Sequence, residues 1–188
     1  LEIENSISNV IKEKILSTKY EEPFSHEILK RLFEKIQKAA EELTFSIVEN
    51  KIPYIATAVS KEYNAFACKV PNSEDNVIFF EGELFTVVNL LCKIIAQCLP
   101  DFKITRDSVN FNLSKDRIIN HLIENPIIKT RFIDLAYNGI YCGQPTKSQQ
   151  YFLDDSLGRF HYEILESIEL FIVGHEYGHI SANHLEES

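Results

Sequence analysis

Apolar residues in the first part of the chain recur every three to four positions. Ile3, Ile7, Val10, Ile11, Ile15 and Leu16 fall on one face of a helix over 1–18, and Pro23 ends the pattern. Ser25 is placed to cap a second helix with Ile28, Leu29, Leu32, Phe33, Ile36, Ala39 and Ala40 on its buried side. Both helices are polar on the other face and read as scaffold. From Thr44 the period changes. Segments 46–49, 53–59 and 63–70 read as strands, and 77–80 is a short unbroken apolar run after the turn cluster of 71–76. Three or four short strands with tight links predict a small, largely antiparallel sheet. Helical spacing returns at 85–99 and Pro100 stops it. Ser114 can cap a helix over 115–124, and Pro126 suits the first turn of another over 127–141, closed near Gly143. The polar, turn-rich stretch 144–158 reads as a mobile loop leading into a last helix from about Phe160. The layout predicts an α+β fold in one domain. Helices occupy 1–43, the sheet 44–85, a helical insertion 86–158 and the final helix 159–188.

That final helix carries the chemistry. Residues 171–184 read FIVGHEYGHISANH and contain H-E-x-x-H. Positions i and i+4 share a helix face, so His175 and His179 can hold one metal ion through two imidazole nitrogens. Glu176 is too far round the helix to join them and is placed instead as the base that deprotonates a water. This arrangement suits Zn2+ and is the metallopeptidase signature. Ile168, Phe171, Ile172 and Val173 lead into the motif, as a buried helix requires. Gly174 and Gly178 bracket it at a cost of about 1 kcal/mol each, so their presence wants a reason, and close approach of another backbone is one such reason.

A catalytic zinc keeps three protein ligands and one open position. His184 lies five residues past His179, about 140° round the helix, and faces away if the helix continues. Residues 181–183 hold no glycine to turn the chain toward a third histidine. Glu166 and Glu169 sit at the wrong angles, and His161 is on the right face but about 21 Å away. His121 with Glu124, and Asp154 with Asp155, read as solvated surface residues. The third ligand is therefore expected beyond Ser188. The chain lacks Met and stops nine residues after His179, and both features suggest a piece of a longer protein.

Composition narrows the partners. With 45% hydrophobic and 25% charged residues among 188, the chain can bury a sizeable core. A net charge of −9 repels phosphate backbones and disfavours nucleic acid. Cys68, Cys92, Cys98 and Cys142 show no C-x-x-C spacing and read as small core residues or free thiols in a reducing compartment, hence a cytoplasmic protein. The apolar stretch 84–99 is interrupted by Asn89, Lys93 and Gln97 and is too short and polar to span a bilayer.

Three segments together resemble a known family. The strand Asn64-Ala65-Phe66-Ala67, the apolar strand running into Gly82-Glu83-Leu84-Phe85, and the H-E-x-x-H helix look like the zinc metallopeptidases related to the CAAX prenyl proteases and their small soluble relatives, which are gluzincins. A comparable N-A-F-A strand and an apolar strand ending in G-L-L precede the metal helix there. The resemblance covers roughly 53–85 and 168–184. It implies a zincin-like fold with the sheet packed against the motif helix, His175 and His179 as zinc ligands and Glu176 as general base. It also implies that Asn64, Ala65 and Phe66 lie on or near an edge strand that pairs with a peptide substrate. Two features depart from the family. About 95 residues separate Phe80 from His175, and the family's third ligand is a Glu on a later helix. The sequence thus reads as a zinc metallopeptidase acting on peptide or protein substrates. The rival readings are a binding or regulatory module with a vestigial or incomplete metal site, and a metal-dependent hydrolase of a non-peptide substrate.

Overall fold

The structure, a computed structural model, describes residues 27–42, 53–58, 63–70, 73–99, 102–105, 109–111 and 114–186. The helix expected over 1–18, the Ser25 cap and the strand expected over 46–49 lie outside the described residues. The chain divides into two compact units. One is Leu1–Leu84 with Glu169–Ser188, and the other is Phe85–Ile168. Helices dominate both, and the first also holds a three-stranded sheet, so the fold is α+β.

In the first unit, α1 (Glu27–Glu42) buries Leu29, Leu32 and Phe33 on one stripe. Ala39, expected on that stripe, is exposed. Three strands follow: β1 (Tyr54–Ala58), β2 (Ala65–Lys69) and β3 (Asn76–Glu81). Their spatial order is β1-β3-β2, with β1 parallel and β2 antiparallel to β3. The sheet is therefore mixed, not largely antiparallel. Short links in sequence suggested a meander, but β3 inserts between its two predecessors. All six residues of β3 are buried. A central strand covered on both faces needs an unbroken apolar run, which 77–80 supplies. β2 is left at an edge.

Just before β2, Asn64 accepts the Glu81 N–H at 3.0 Å through its carbonyl. Hydrogen-bonded pairs alternate in an antiparallel ladder, so Phe66 and Cys68 also turn their backbone groups toward β3. Ala65, Ala67 and Lys69 turn theirs to the open edge. The Phe66 ring packs on Phe79, centroids 5.1 Å apart.

α2 (Gly82–Cys98) follows β3 without a loop, three residues earlier than the periodicity suggests. In the second unit its Leu90 and Ile94 form a core with Ile128 and Leu135, and Cys98 and Leu122 pack against it. Ile128 and Leu135 come from α4 (Pro126–Asp134) and the π-helical turn Leu135–Tyr141 that continues it. Leu122 comes from α3 (Lys115–Glu124). An antiparallel pair of β4 (Phe102–Ile104) and β5 (Val109–Phe111) lies inside the segment read as a helical insertion, in a stretch to which the periodicity assigns no element. Phe102 stacks on Phe160 at 4.7 Å, so the hairpin is held by ring packing as well as by its short ladder.

The last helix, α5 (Asp155–Ser181), starts about five residues earlier than expected. Asp154 explains this. Its Oδ1 accepts the Leu157 N–H at 2.9 Å and the Ser156 hydroxyl at 2.7 Å, a side-chain N-cap. The stretch before it is pinned. Gln149 N–H donates to Asp134 at 2.7 Å, Lys93 donates to the Tyr151 carbonyl at 3.1 Å, and the Arg131 guanidinium lies 3.8 Å from the Tyr151 ring centre. Cys92 is buried, Cys68 and Cys98 are half-buried and Cys142 is exposed, so of the two readings of the cysteines Cys142 takes the free thiol and not the core residue. None of the described helices is long and apolar enough to cross a membrane.

Candidate metal centre

The site belongs to the first unit and sits on the last turns of α5. Val173, Tyr177 and Ile180 are buried at spacings of four and three, which sets one face of the helix inward. Phe33 of α1 meets Tyr177 edge-on, centroids 5.2 Å apart. With Tyr177 anchored, His175 and His179 project together from the adjoining face. Their Nε2 atoms lie 3.2 Å apart and their rings meet edge-to-face. Two nitrogens of a tetrahedral zinc at about 2.0–2.1 Å from the ion are about 3.3–3.4 Å apart. The pair therefore fits that metal in donor type and in spacing. Phe171, one turn earlier, lies against the His175 ring at 6.1 Å.

Glu176 is buried beside the pair. The outward N–H of Ala67 donates to its carboxylate, tying the motif helix to the open edge of β2. Burial pushes the Glu176 carboxyl above its ordinary range, while His175, His179 and the Ala67 N–H pull it down. A carboxyl raised toward neutrality is better placed to take up a proton and give it back.

A cleft of about 290 Å³ opens at this point. It is lined by Tyr63, Asn64 and Ala65 at the start of β2, by Leu84 of α2 and by Phe171, Ile172, His175 and Glu176 of α5. Of the three residues expected to meet substrate, Asn64 and Ala65 line the cleft. Phe66 does not, because the pleat turns its ring onto Phe79. The Asn64 Oδ1 accepts the N–H of Ala65 at 3.0 Å. Both N–H donors at this end of the edge are thus engaged within the chain, and the carbonyls of Ala65 and Ala67 face outward.

The other acidic and histidine candidates are occupied elsewhere or remain apart. His121 Nε2 contacts the Gln97 carbonyl at 2.9 Å, and its Nδ1 lies 3.3 Å from the Asn125 amide. His161 Nε2 contacts Asn89 Oδ1 at 2.9 Å, and Asp154 caps α5. Glu124 and Asp155 are exposed. Among the described residues, His, Cys, Asp and Glu nowhere gather in threes that could hold a metal ion.

His184 is where the helical extrapolation fails. α5 stops at Ser181, and Asn183 adopts φ 55°. Asn183 N–H then bonds the Ile180 carbonyl at 3.1 Å, and a short 3-10 turn, His184–Glu186, begins. His184 swings back so that its Nδ1 lies 3.4 Å from His179 Nδ1. Asparagine tolerates the left-handed conformation better than other non-glycine residues, so Asn183 was the signal for this break. Among the described residues, no backbone approaches either glycine closely, so that reason for them does not apply. A Cβ at Gly178 would meet nothing within 4 Å, and one at Gly174 would make an ordinary 3.7 Å contact with Ile36.

No protein-family model, curated protein or solved structure matches this chain.

Proposed function

We propose that this protein is a zinc-dependent metallopeptidase of zincin-like architecture, related to the gluzincins that its sequence resembles. The observation that carries the reading is the juxtaposition of two Nε2 donors at 3.2 Å with a buried carboxylate on the same helix, at the mouth of a cleft beside a sheet edge. His175 and His179 would hold the ion, and a third ligand comes from outside the described residues. Zinc, when bound, polarises the scissile carbonyl and acidifies water. Glu176 takes a proton from the attacking water and returns it to the leaving amine. The Ala67 N–H holds one side of that carboxylate, which fixes its aim while the proton moves. An extended peptide lies along β2, its N–H groups donating to the outward carbonyls of Ala65 and Ala67.

The test is cleavage of a peptide library by the purified protein, with and without a chelator. Glu176→Gln keeps the side chain's shape and removes the base, so cleavage should fall by about 10²–10⁴-fold or more. Cleavage that survives in that variant removes Glu176 from the mechanism.

A second reading has one observation in its favour. The second unit exposes large apolar side chains, including Ile123 at 72%, Tyr141 at 82% and Phe152 at 101%. A protein-binding module with an incomplete metal site would use such a surface. Folded protein that neither takes up zinc nor cleaves peptides would select this reading.

A further inference from the structure

We propose that His184 is a positioning residue for His179. Its Nδ1 accepts the Nδ1–H of His179 and so holds that imidazole with its Nε2 lone pair toward His175. The inference rests on the metal-site reading and deepens it.

The three rings form a row. His175 and His179 face each other through Nε2 at 3.2 Å, and His179 and His184 face each other through Nδ1 at 3.4 Å. A neutral imidazole carries one N–H and one lone pair. An ion held between His175 and His179 needs a lone pair on both Nε2 atoms. His179 must then carry its proton on Nδ1, the atom that faces His184. His184 answers with a lone pair on its own Nδ1 and keeps its proton on Nε2. Every ring nitrogen in the row has one assignment under this scheme.

The backbone is arranged to bring His184 there. On a continued helix it would stand about 140° from His179. Asn183 at φ 55° ends the helix, and the following turn runs beside β2. The rings of His179 and His184 lie 5.6 Å apart at 60°. His184 is not a third ligand in this arrangement, because its nitrogen addresses the far side of the His179 ring and not the Nε2 pair.

The test uses the full chain and two metal probes. Zinc affinity is measured by chelator competition, and the ligand field is read from the visible absorption of the Co2+ form. His184→Ala should weaken zinc binding about 10–100-fold, the usual cost of losing such a partner. His184→Asn should recover most of that loss, because its Oδ1 occupies the position of Nδ1 and accepts the same N–H. The Co2+ bands should keep their positions in both variants, since the ligands are unchanged. Three results overturn the proposal: unchanged affinity in His184→Ala, no recovery in His184→Asn, or displaced Co2+ bands that make His184 a direct ligand. A wild-type protein that binds no zinc through His175 and His179 overturns the metal-site reading itself, and this inference with it.

Discussion

Zinc should raise the melting temperature of the wild-type protein, and the reason lies in the geometry of one helical turn. The Nε2 atoms of His175 and His179 stand 3.2 Å apart only while α5 is folded. In the unfolded chain the same two imidazoles sample many separations, so the ion binds mainly the native state. A ligand of that kind stabilises by RT ln(1 + [L]/Kd), about 2.7 kcal/mol at a free concentration of 100 Kd. For a chain of this length each kcal/mol moves the midpoint by about 2–4 °C, which gives a rise of about 5–11 °C. Circular dichroism melts in buffered zinc and in chelator measure it. The rise should vanish in His175→Ala and His179→Ala. It should persist in Glu176→Gln, because the Glu176 carboxylate is held by Ala67 and is not a ligand. The half-buried and exposed thiols of Cys68, Cys98 and Cys142 also attract zinc, so the melts are repeated after alkylation. A wild-type protein without the rise, or a double-histidine variant that keeps it, refutes the assignment of the pair.

Two further predictions concern the fold. Burial and the charge of Lys93 hold the His161 imidazole below its ordinary pKa, against a smaller upward pull from Asn89. The folded state then binds fewer protons than the unfolded chain between the lowered value and about 6.5, so stability rises with pH in that window and is lost on acidification through it. His161→Gln should flatten this part of the urea-midpoint profile between about pH 5 and 7, and an unaltered slope would remove His161 from the account. Gly178→Ala should stabilise by up to about 1 kcal/mol, since the added Cβ meets open space and the unfolded chain loses freedom. A lower urea midpoint in that variant would mean that something does approach Gly178.

What the sequence made legible was mainly what is local. Helical periodicity placed α1, α3 and the motif helix, and the i, i+4 rule brought His175 and His179 to one face. The parallel pairing of β1 with β3 was not legible, because it depends on which strand takes the middle position and not on either strand's composition. The unbroken apolar run at 77–80 was read as a strand, and its burial on both faces is what such a run permits. The β4–β5 hairpin escaped because three residues are too few to establish a period. His184 was misplaced by extrapolating a helix through Asn183, a residue whose backbone preference was readable. The hold on Glu176 comes from the backbone of Ala67, and a backbone donor leaves no trace in residue identity.

The engaged donors along β2 have a consequence for handling the protein. An exposed sheet edge is a template for a second copy of the same chain, and proteins blunt such edges. Here the blunting is done by Asn64, which covers the Ala65 N–H, and by Glu176, which covers that of Ala67. By occupying the edge donor of Ala67, Glu176 would double as a guard against strand-to-strand association. Glu176→Ala would remove the proposed base and uncover the edge together, so a loss of any cleavage and a gain in self-association would arrive in one variant. Glutamine keeps an acceptor for Ala67 and separates the two, which makes it the informative substitution at that position.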